Sequence, residues 1–564
     1  MKRHSMHRFP AYRFPAHRFP AHRYLVLRWL VTVGVVLLGG AFALPQGNDF
    51  PPGDEPPKSG IRFKLIAGDE NGSKEILDKR QAEVVEKKGA KLVSHDWWLW
   101  GLTGIDYDRD GDPDFLVTIH GAGANGVLLK NQFKETGKLG FVNVNRELGV
   151  DWQLPAAIGR RTFVWDFDGD GWLDFNGVRS PDFLNQAGKK FVPTDKNSFG
   201  SFNPQAIVDL NGDGHPDAYH ASGYNASGYN GLWNPTTKTF DIEPYTHPLK
   251  DKIPESVRQL WEDGQGKERN RFLRVNFLTD HDLDGDGRPE IIVTGYGGYG
   301  GDAFGRYLRT DGEGRLIDAT KEFGLPESGT PILLKDLDGD GHLDVLTAAT
   351  AESGFFRNDG RGGFRLQPGP LTDLLRSRDP YLHRPDTADF DNDGLLDLIV
   401  SKPRHGPKVI FANLGEGKFE VLHKAQGWDS DPVVVCDLND DGLLDVAIGG
   451  PANQVTLYLN TTPAPGNACR LYARLPAPNP YAVGTRVEVF RPGVLGQADS
   501  RPVLIEHAHP DATPIHIALG REKRFDIRVT FPGKTPLELK NVEAIERLQV
   551  TPDGKLTPVP AADP

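Results

Sequence analysis

The chain has 564 residues, more than one ordinary domain holds, and a formal net charge of −12. Its 38% hydrophobic content with 65 Gly and 44 Pro argues against wholesale disorder and suits a turn-rich all-β protein. Residues 1–43 hold seven basic residues and no acid, so the remainder is strongly acidic, which argues against nucleic acid as a partner and favours bound cations. Two cysteines, Cys436 and Cys469, are too few for a disulfide framework.

In chain order, residues 1–44 read as an export signal. A basic stretch precedes an apolar run over residues 29–44, and Ala41-Phe42-Ala43 fits a small-x-small cleavage site. The run is short for a membrane span; an uncleaved anchor is the alternative, and only then would the membrane be a partner. The expected location is therefore exported: secreted, periplasmic or cell-surface. Residues 45–60, Pro-rich and polar, form a linker.

From there one pattern, D-x-[DN]-x-D-G-x-x-[DE], recurs seven times. It runs through Asp106, Asp108, Asp110 and Asp114, then Asp166, Asp168, Asp170 and Asp174, then Asp209, Asn211, Asp213 and Asp217. It continues through Asp282, Asp284, Asp286 and Glu290, and through Asp336, Asp338, Asp340 and Asp344. The last two copies are Asp389, Asp391, Asp393 and Asp397, and Asp437, Asn439, Asp441 and Asp445. The copies start 43 to 73 residues apart, a period that indicates stacked or radial units. Short apolar stretches flank each copy, such as Val433-Val434-Val435 before and Leu398-Ile399-Val400 after. A third stretch ends in Asn and a Gly-containing turn, as at Asn358 and Asn413, and a fourth begins with Phe, as at Phe141, Phe191, Phe364 and Phe419. Four short strands per unit predict a seven-bladed β-propeller over residues 61–462. The seventh unit lacks its Phe-led strand, and Arg62-Phe63-Lys64-Leu65-Ile66 before the first unit is its match. A small β-sandwich is expected over residues 467–557.

The acids at positions 1, 3, 5 and 9 gather hard oxygen ligands around a turn that Gly at position 6 permits, which is calcium chemistry. An EF-hand loop would need Glu at position 12, where this chain has Val117, Gly177, His220, Val293, Thr347, Val400 and Ile448. A plain Asp/Gly turn would need no acid at position 9. Up to seven calcium ions are expected, with a structural role.

The unit resembles the FG-GAP/VCBS repeat of integrin-like propellers, and more closely proteins that join such repeats to an ASPIC/UnbV domain, the cartilage acidic protein-like group. The segment from Phe141 to Val150 and that from Leu316 to Leu325 carry that group's F-x-D-V-T-x-x-x-G-L pattern in outline. The segment from Asn479 to Val489 resembles the opening of the ASPIC/UnbV domain, and His516-Ile517-Ala518-Leu519-Gly520 and Val529-Thr530-Phe531-Pro532-Gly533 resemble its later segments, with Phe531 where that family has Trp. The resemblance implies calcium binding and an extracellular or cell-surface location, and it supplies no ligand.

Gly- and Tyr-rich segments at residues 120–126, 222–230 and 295–301 read first as loop filler and second as sugar-binding loops. Trp97, Trp98 and Trp100 read as a packed strand. No nucleophile elbow, zinc spacing, P-loop or dinucleotide fingerprint occurs, so no catalytic residue is assigned. The expected function is an exported binding or adhesion module for an extracellular protein or glycan. The alternative is a carbohydrate-active enzyme of the polysaccharide lyase kind, which would place a distinctive basic or His/Tyr cluster in one blade.

Overall fold

A computed structural model describes residues 58–88, 98–120, 126–151, 162–177, 181–195, 206–208, 217–221, 227–234, 239–246, 271–277, 291–297, 303–310, 316–348, 350–376, 385–401, 408–425, 432–450, 454–463, 465–477, 479–497, 500–508 and 513–560. All of them belong to one compact unit, Asn48–Pro564. The third and fourth acid loops lie outside them apart from Asp217, which opens a strand; so do Trp97, His215, His281, the export segment and residues 255–262, whose sequence reads as a helix-like insert between those two loops. Among the described residues no helix is long and apolar enough to cross a membrane.

The described chain is mostly β-strand. Seven four-stranded antiparallel sheets follow one another in sequence. Sheet 1 is Trp98–Ile105, Asp114–His120, Val127–Asn131 and Phe141–Asn143; sheet 2 is Thr162–Trp165, Asp174–Gly177, Asp182–Asn185 and Phe191–Pro193. Sheet 3 is Ala206–Val208, Asp217–Ala221, Ser227–Asn234 and Thr239–Thr246; sheet 4 is Arg271–Phe277, Ile291–Gly297, Ala303–Thr310 and Leu316–Asp318. Sheet 5 is Thr330–Lys335, Asp344–Ala348, Phe355–Asn358 and Phe364–Gln367; sheet 6 is Asp386–Ala388, Asp397–Ser401, Lys408–Asn413 and Phe419–Ala425. Sheet 7 takes Val433–Cys436, Asp445–Gly450 and Gln454–Asn460 from its own unit and its fourth strand, Phe63–Ile66, from the start of the described chain. That strand pairs antiparallel with the third, Phe63 opposite Asn460 and Ile66 opposite Leu457.

Successive side chains of a strand point to opposite faces, so a strand buried along its whole length is covered on both. Asp344–Ala348, Lys408–Asn413 and Asp445–Gly450 are of this kind. The fourth strands Phe141–Asn143 and Phe191–Pro193 bury only their leading Phe. That explains the Phe at this point of the repeat: each such ring contributes about 2 kcal/mol of apolar burial where the rest of the strand faces water. Apolar clusters interlock neighbours, joining sheets 1 and 2 through Leu128 and Phe175, sheets 5 and 6 through Phe355 and Phe411, and sheets 6 and 7 through Ile410 and Val446. Sheet 7 also meets sheet 1, with Val455 and Leu457 in one cluster with Leu99 and Phe115.

Helix α1, Ser73–Lys88, stands between Phe63–Ile66 and sheet 1. It buries Leu77 in the cluster shared by sheets 7 and 1, and its start is tied to sheet 7 by Asn71 Nδ2 donating to Val455 O at 2.9 Å and Val455 N donating to Ser73 Oγ at 3.0 Å. Helix α2, Phe133–Thr136, follows the third strand of sheet 1, and α3, Pro370–Leu375, follows sheet 5.

The tail forms two more four-stranded sheets around a core of its own that includes Val487, Ile517, Ile527 and Phe531. One orders Ile515–Gly520, Asn467–Ala473, Arg547–Val550 and Leu556–Pro558, its central pair parallel. The other orders Leu504–His507, Arg486–Phe490, Arg524–Thr530 and Leu537–Glu543.

Candidate metal centres

Five acid loops are described, each joining the first strand of a sheet to the second. The chain turns back through two left-handed residues. Position 6 has φ 87° at Gly111, 90° at Gly171, 85° at Gly341, 94° at Gly394 and 85° at Gly442, a region that costs any residue with a Cβ. Position 4 is left-handed too, at Arg109, Gly169, Gly339, Asn392 and Asp440.

The position 1 aspartate closes this turn by accepting backbone amides. Asp166 takes Gly169 N and Gly171 N at 2.8 Å each, Asp336 takes Gly339 N and Gly341 N at 2.8 Å each, and Asp389 takes Asp393 N at 3.0 Å and Gly394 N at 2.7 Å. Asp437 takes Asp441 N at 3.1 Å and Gly442 N at 2.9 Å.

The position 9 aspartate is a strut. In the second, fifth, sixth and seventh loops one oxygen accepts the position 2 amide: Phe167, Leu337, Phe390 and Leu438 donate to Asp174, Asp344, Asp397 and Asp445 at 2.8, 2.9, 2.8 and 2.8 Å. The other oxygen accepts the backbone amide of the Asn that ends the third strand, as Asn185 N does to Asp174 at 2.6 Å and Asn413 N to Asp397 at 2.7 Å. That Asn was legible in sequence only as the end of a strand, and its side chain has a second task. Its Nδ2 crosses to the position 2 carbonyl of the preceding loop: Asn185 to Tyr107 at 2.8 Å, Asn413 to Leu337 and Asn460 to Phe390 at 2.7 Å each, and Asn131 to Leu438 at 3.1 Å.

Carboxylate oxygens converge in four of the described loops. Asp106, Asp108 and Asp114 form one group, Asp166, Asp168 and Asp170 another, Asp336, Asp338 and Asp344 a third, and Asp389, Asp391 and Asp397 a fourth, their oxygens within 4.8 Å of one another. Oxygens bound to one calcium at about 2.3–2.6 Å span such distances. In the seventh loop Asn439 stands at position 3, with a buried Oδ1 that accepts no hydrogen bond.

Burial makes these carboxyls reluctant to ionise without a cation. Desolvation, followed by repulsion from Asp110 and Asp108, pushes Asp106 up to about 7. Burial likewise raises Asp174 to about 9, Asp344 to about 8, and Asp166, Asp336, Asp391 and Asp437 to about 6. Asp114, Asp389, Asp397 and Asp445 lie well above the ordinary carboxylate range for the same reason. In the first loop Asp106 Oδ1, Asp108 Oδ1 and Asp114 Oδ2 are buried and accept no hydrogen bond, as oxygens meant for a cation would be.

The tail grips the loops. Gly466 N and Gly520 N donate to Asp391 O and Asn392 O at 2.8 Å each, and His516 Nε2 meets Asn392 Oδ1 at 2.7 Å. Arg470 Nη1 reaches Asp437 and Asp440 at 2.8 Å each. Tyr481 Oη donates to Gly171 O at 2.6 Å in the second loop, and Arg501 meets His342 Nδ1 at 3.0 Å in the fifth.

No curated protein matches the chain by sequence. By structure it is similar to a lectin from Agrocybe aegerita that recognises non-reducing terminal N-acetylglucosamine, at 19% identity and TM-score 0.36 over 61% of this chain and 82% of that one. It is also similar to an ulvan lyase of polysaccharide lyase family PL25, at 13% identity and TM-score 0.32 over 64% and 94%. A third similar structure is the Bacillus licheniformis rhamnogalacturonan lyase PL11, at 12% identity and TM-score 0.23 over 80% and 73%. A family model matches three times, over residues 282–347, 336–400 and 389–448, each match running from position 1 of one acid loop to position 12 of the next. The chain thus carries three FG-GAP-like repeats, spanning its fourth to seventh acid loops.

Proposed function

We propose that the chain is a calcium-stabilised seven-bladed β-propeller, exported as a binding or adhesion module for an extracellular protein or glycan. The observation that carries the reading is the convergence of aspartate oxygens in four loops, from positions 1, 3 and 9 in the first, fifth and sixth and from positions 1, 3 and 5 in the second. Seven consecutive sheets, the last completed by the first described strand and touching the first sheet, support ring closure, which leaves no open sheet edge.

The residues that would hold the ion are those at positions 1, 3, 5 and 9 of each loop, in the third and fourth loops as in the others. Bound calcium would supply the positive charge that lets these buried carboxyls ionise together. The chain's own groups do the rest. Backbone amides orient the first aspartate, and the strand-ending Asn passes the geometry of one loop to the next sheet. Residues 467–557 are proposed to be an ASPIC/UnbV-like sandwich, and residues 1–44 the export signal.

The tail lies against the acid loops, at the N-terminal ends of the second strands. The Gly- and Tyr-rich segments follow the C-terminal ends of the second strands Asp114–His120, Asp217–Ala221 and Ile291–Gly297. Ligand recognition is therefore proposed for that opposite end of the second strands; Tyr224, Asn225 and Tyr299 of these segments, whose residue types suit stacking and hydrogen bonding, lie outside the described residues. The reading assigns no catalytic residue.

The test is thermal unfolding of the full chain with calcium and after chelation, together with its metal content. Several calcium ions per chain and a melting point that falls on chelation are expected. Absence of both would sink the reading.

A further inference from the structure

We infer that the first acid loop holds a second divalent cation, on Asp112 and Glu135 with Asp110 shared, beside the one proposed for Asp106, Asp108, Asp110 and Asp114. The inference rests on the calcium reading and adds a site that the repeat pattern does not contain.

The first loop is chemically unlike the other six. At position 7 it has Asp112, where the others carry Trp172, His215, Arg288, His342, Leu395 and Leu443. Glu135 is added by helix α2, directly after the third strand of the sheet. Oxygens of Asp110, Asp112 and Glu135 lie within 4.8 Å of one another, the span that ligands of one calcium allow.

Asp112 points to the missing partner. Its side chain is fully buried, and while one oxygen accepts Lys134 N at 2.8 Å, Oδ1 accepts no hydrogen bond. A desolvated carboxylate oxygen without a partner is costly, and a cation answers the cost. The ammonium at hand does not reach it. Lys130 Nζ pairs with Asp108, with Asp110 at 3.1 Å and with Glu135 at 2.6 Å, and the Lys134 ammonium is turned away to Asp440 at 2.7 Å.

Charge gives the same answer. Asp106, Asp108, Asp110, Asp112, Asp114 and Glu135 face the single ammonium of Lys130. Were all six carboxyls ionised, one divalent ion would leave the group strongly negative, and a second would bring it close to neutrality. Oxygen-only ligands at loose spacing favour calcium over a transition metal. The half-exposed Glu135 leaves the site open to solvent for entry.

The place has a consequence. Lys134 ties helix α2 both to Asp112 through its backbone and to Asp440 of the seventh loop through its side chain, so an ion on Asp112 would brace the seam between sheets 7 and 1.

Native mass spectrometry of the full chain at saturating calcium tests this. The variant carrying both Asp112→Asn and Glu135→Gln is expected to bind one ion fewer than the unaltered chain. An equal count overturns the inference and leaves Lys130 as the cation of that cluster. An unaltered chain that binds no calcium overturns the calcium reading itself. Should the variant fold poorly, crystals of the unaltered chain grown with terbium decide: two anomalous peaks at the first loop are expected, and one peak on Asp106, Asp108 and Asp114 overturns the second site.

Discussion

Asn131 Nδ2 donates to the carbonyl of Leu438 at 3.1 Å, across 307 positions of sequence. The bond joins the third strand of sheet 1 to the acid loop of sheet 7, and Asn185, Asn413 and Asn460 repeat it between neighbouring sheets. Among the described residues, one buried amide thus couples each of the first, fifth, sixth and seventh acid loops to the next repeat.

Replacing Asn413 by Ala should unfold the protein more easily by about 2 kcal/mol. It removes the donor to Leu337 O and Leu396 O and leaves buried carbonyls unsatisfied. Chemical denaturation measures the loss. The exposed Thr136→Ala should change stability by a few tenths of a kcal/mol at most, and an equal effect of the two would rule out the coupling.

Position 3 and position 9 acids should separate by calcium dependence. Asp391→Asn removes a charge whose ionisation burial opposes, so the chelated protein should become slightly more stable while calcium binding weakens by tenfold or more. Asp397→Asn impairs an acceptor of two backbone amides as well as a proposed ligand, so it should cost about 2 kcal/mol in chelator and more in calcium. Parallel melting curves in calcium and in chelator distinguish them.

Acidity should act with opposite sign on the two states of the protein. The carboxyls of Asp106, Asp166 and Asp336 titrate near 7, 6 and 6 in the metal-free fold, above their value of 3.8 in the unfolded chain. The folded state then holds more protons between those values, so the chelated protein should gain stability as pH falls from about 7.5 towards 5. His516, which burial pushes down to about 4, opposes this below its ordinary 6.5, since the unfolded chain takes that proton first. The aspartates outnumber it, and the net rise should persist. Protons compete with calcium for the same oxygens, so the increment in melting point that calcium gives should shrink over the same range. An increment independent of pH would contradict the ligand assignment.

The repeat was legible because each part of it answers one local demand: acids to be gathered, a glycine for a left-handed turn, a Phe to seat an outer strand. The strand order followed, down to Phe63–Ile66 completing sheet 7. Three things were not legible. Helix α1 has no strong apolar stripe in sequence; it is held by Leu77, Asn71 and Ser73 against a sheet that begins hundreds of residues later. The second task of the strand-ending Asn lies between repeats, where a pattern within one repeat carries no sign of it. Asp112 and Glu135 stand 23 positions apart in a motif that already contained enough acid, and only α2 brings them together.

Arg470 fastens the tail to the seventh loop. Its guanidinium is buried and reaches Asp437 and Asp440 at 2.8 Å each. Asp440 also meets Lys134 and Arg547, and despite its burial these cations hold its carboxyl below the ordinary range. Arg470→Met keeps most of the aliphatic packing and strips the charge, leaving Asp437 with backbone donors alone. Breaking one side of a buried ion pair costs about 3 kcal/mol. The loss should be larger in chelator than in calcium, because an ion in the seventh loop compensates Asp437 when the guanidinium is gone. Amide exchange should rise at Gly466 and Gly520, whose N–H groups dock the tail on the sixth loop. Arg470→Lys should fall between the unaltered chain and Arg470→Met, retaining charge but not the planar fork whose Nη1 meets both aspartates while Nη2 meets Glu546. Equal losses with and without calcium, and unchanged exchange at both glycines, would mean that the tail is held by its other contacts and that Arg470 acts only within its own strand.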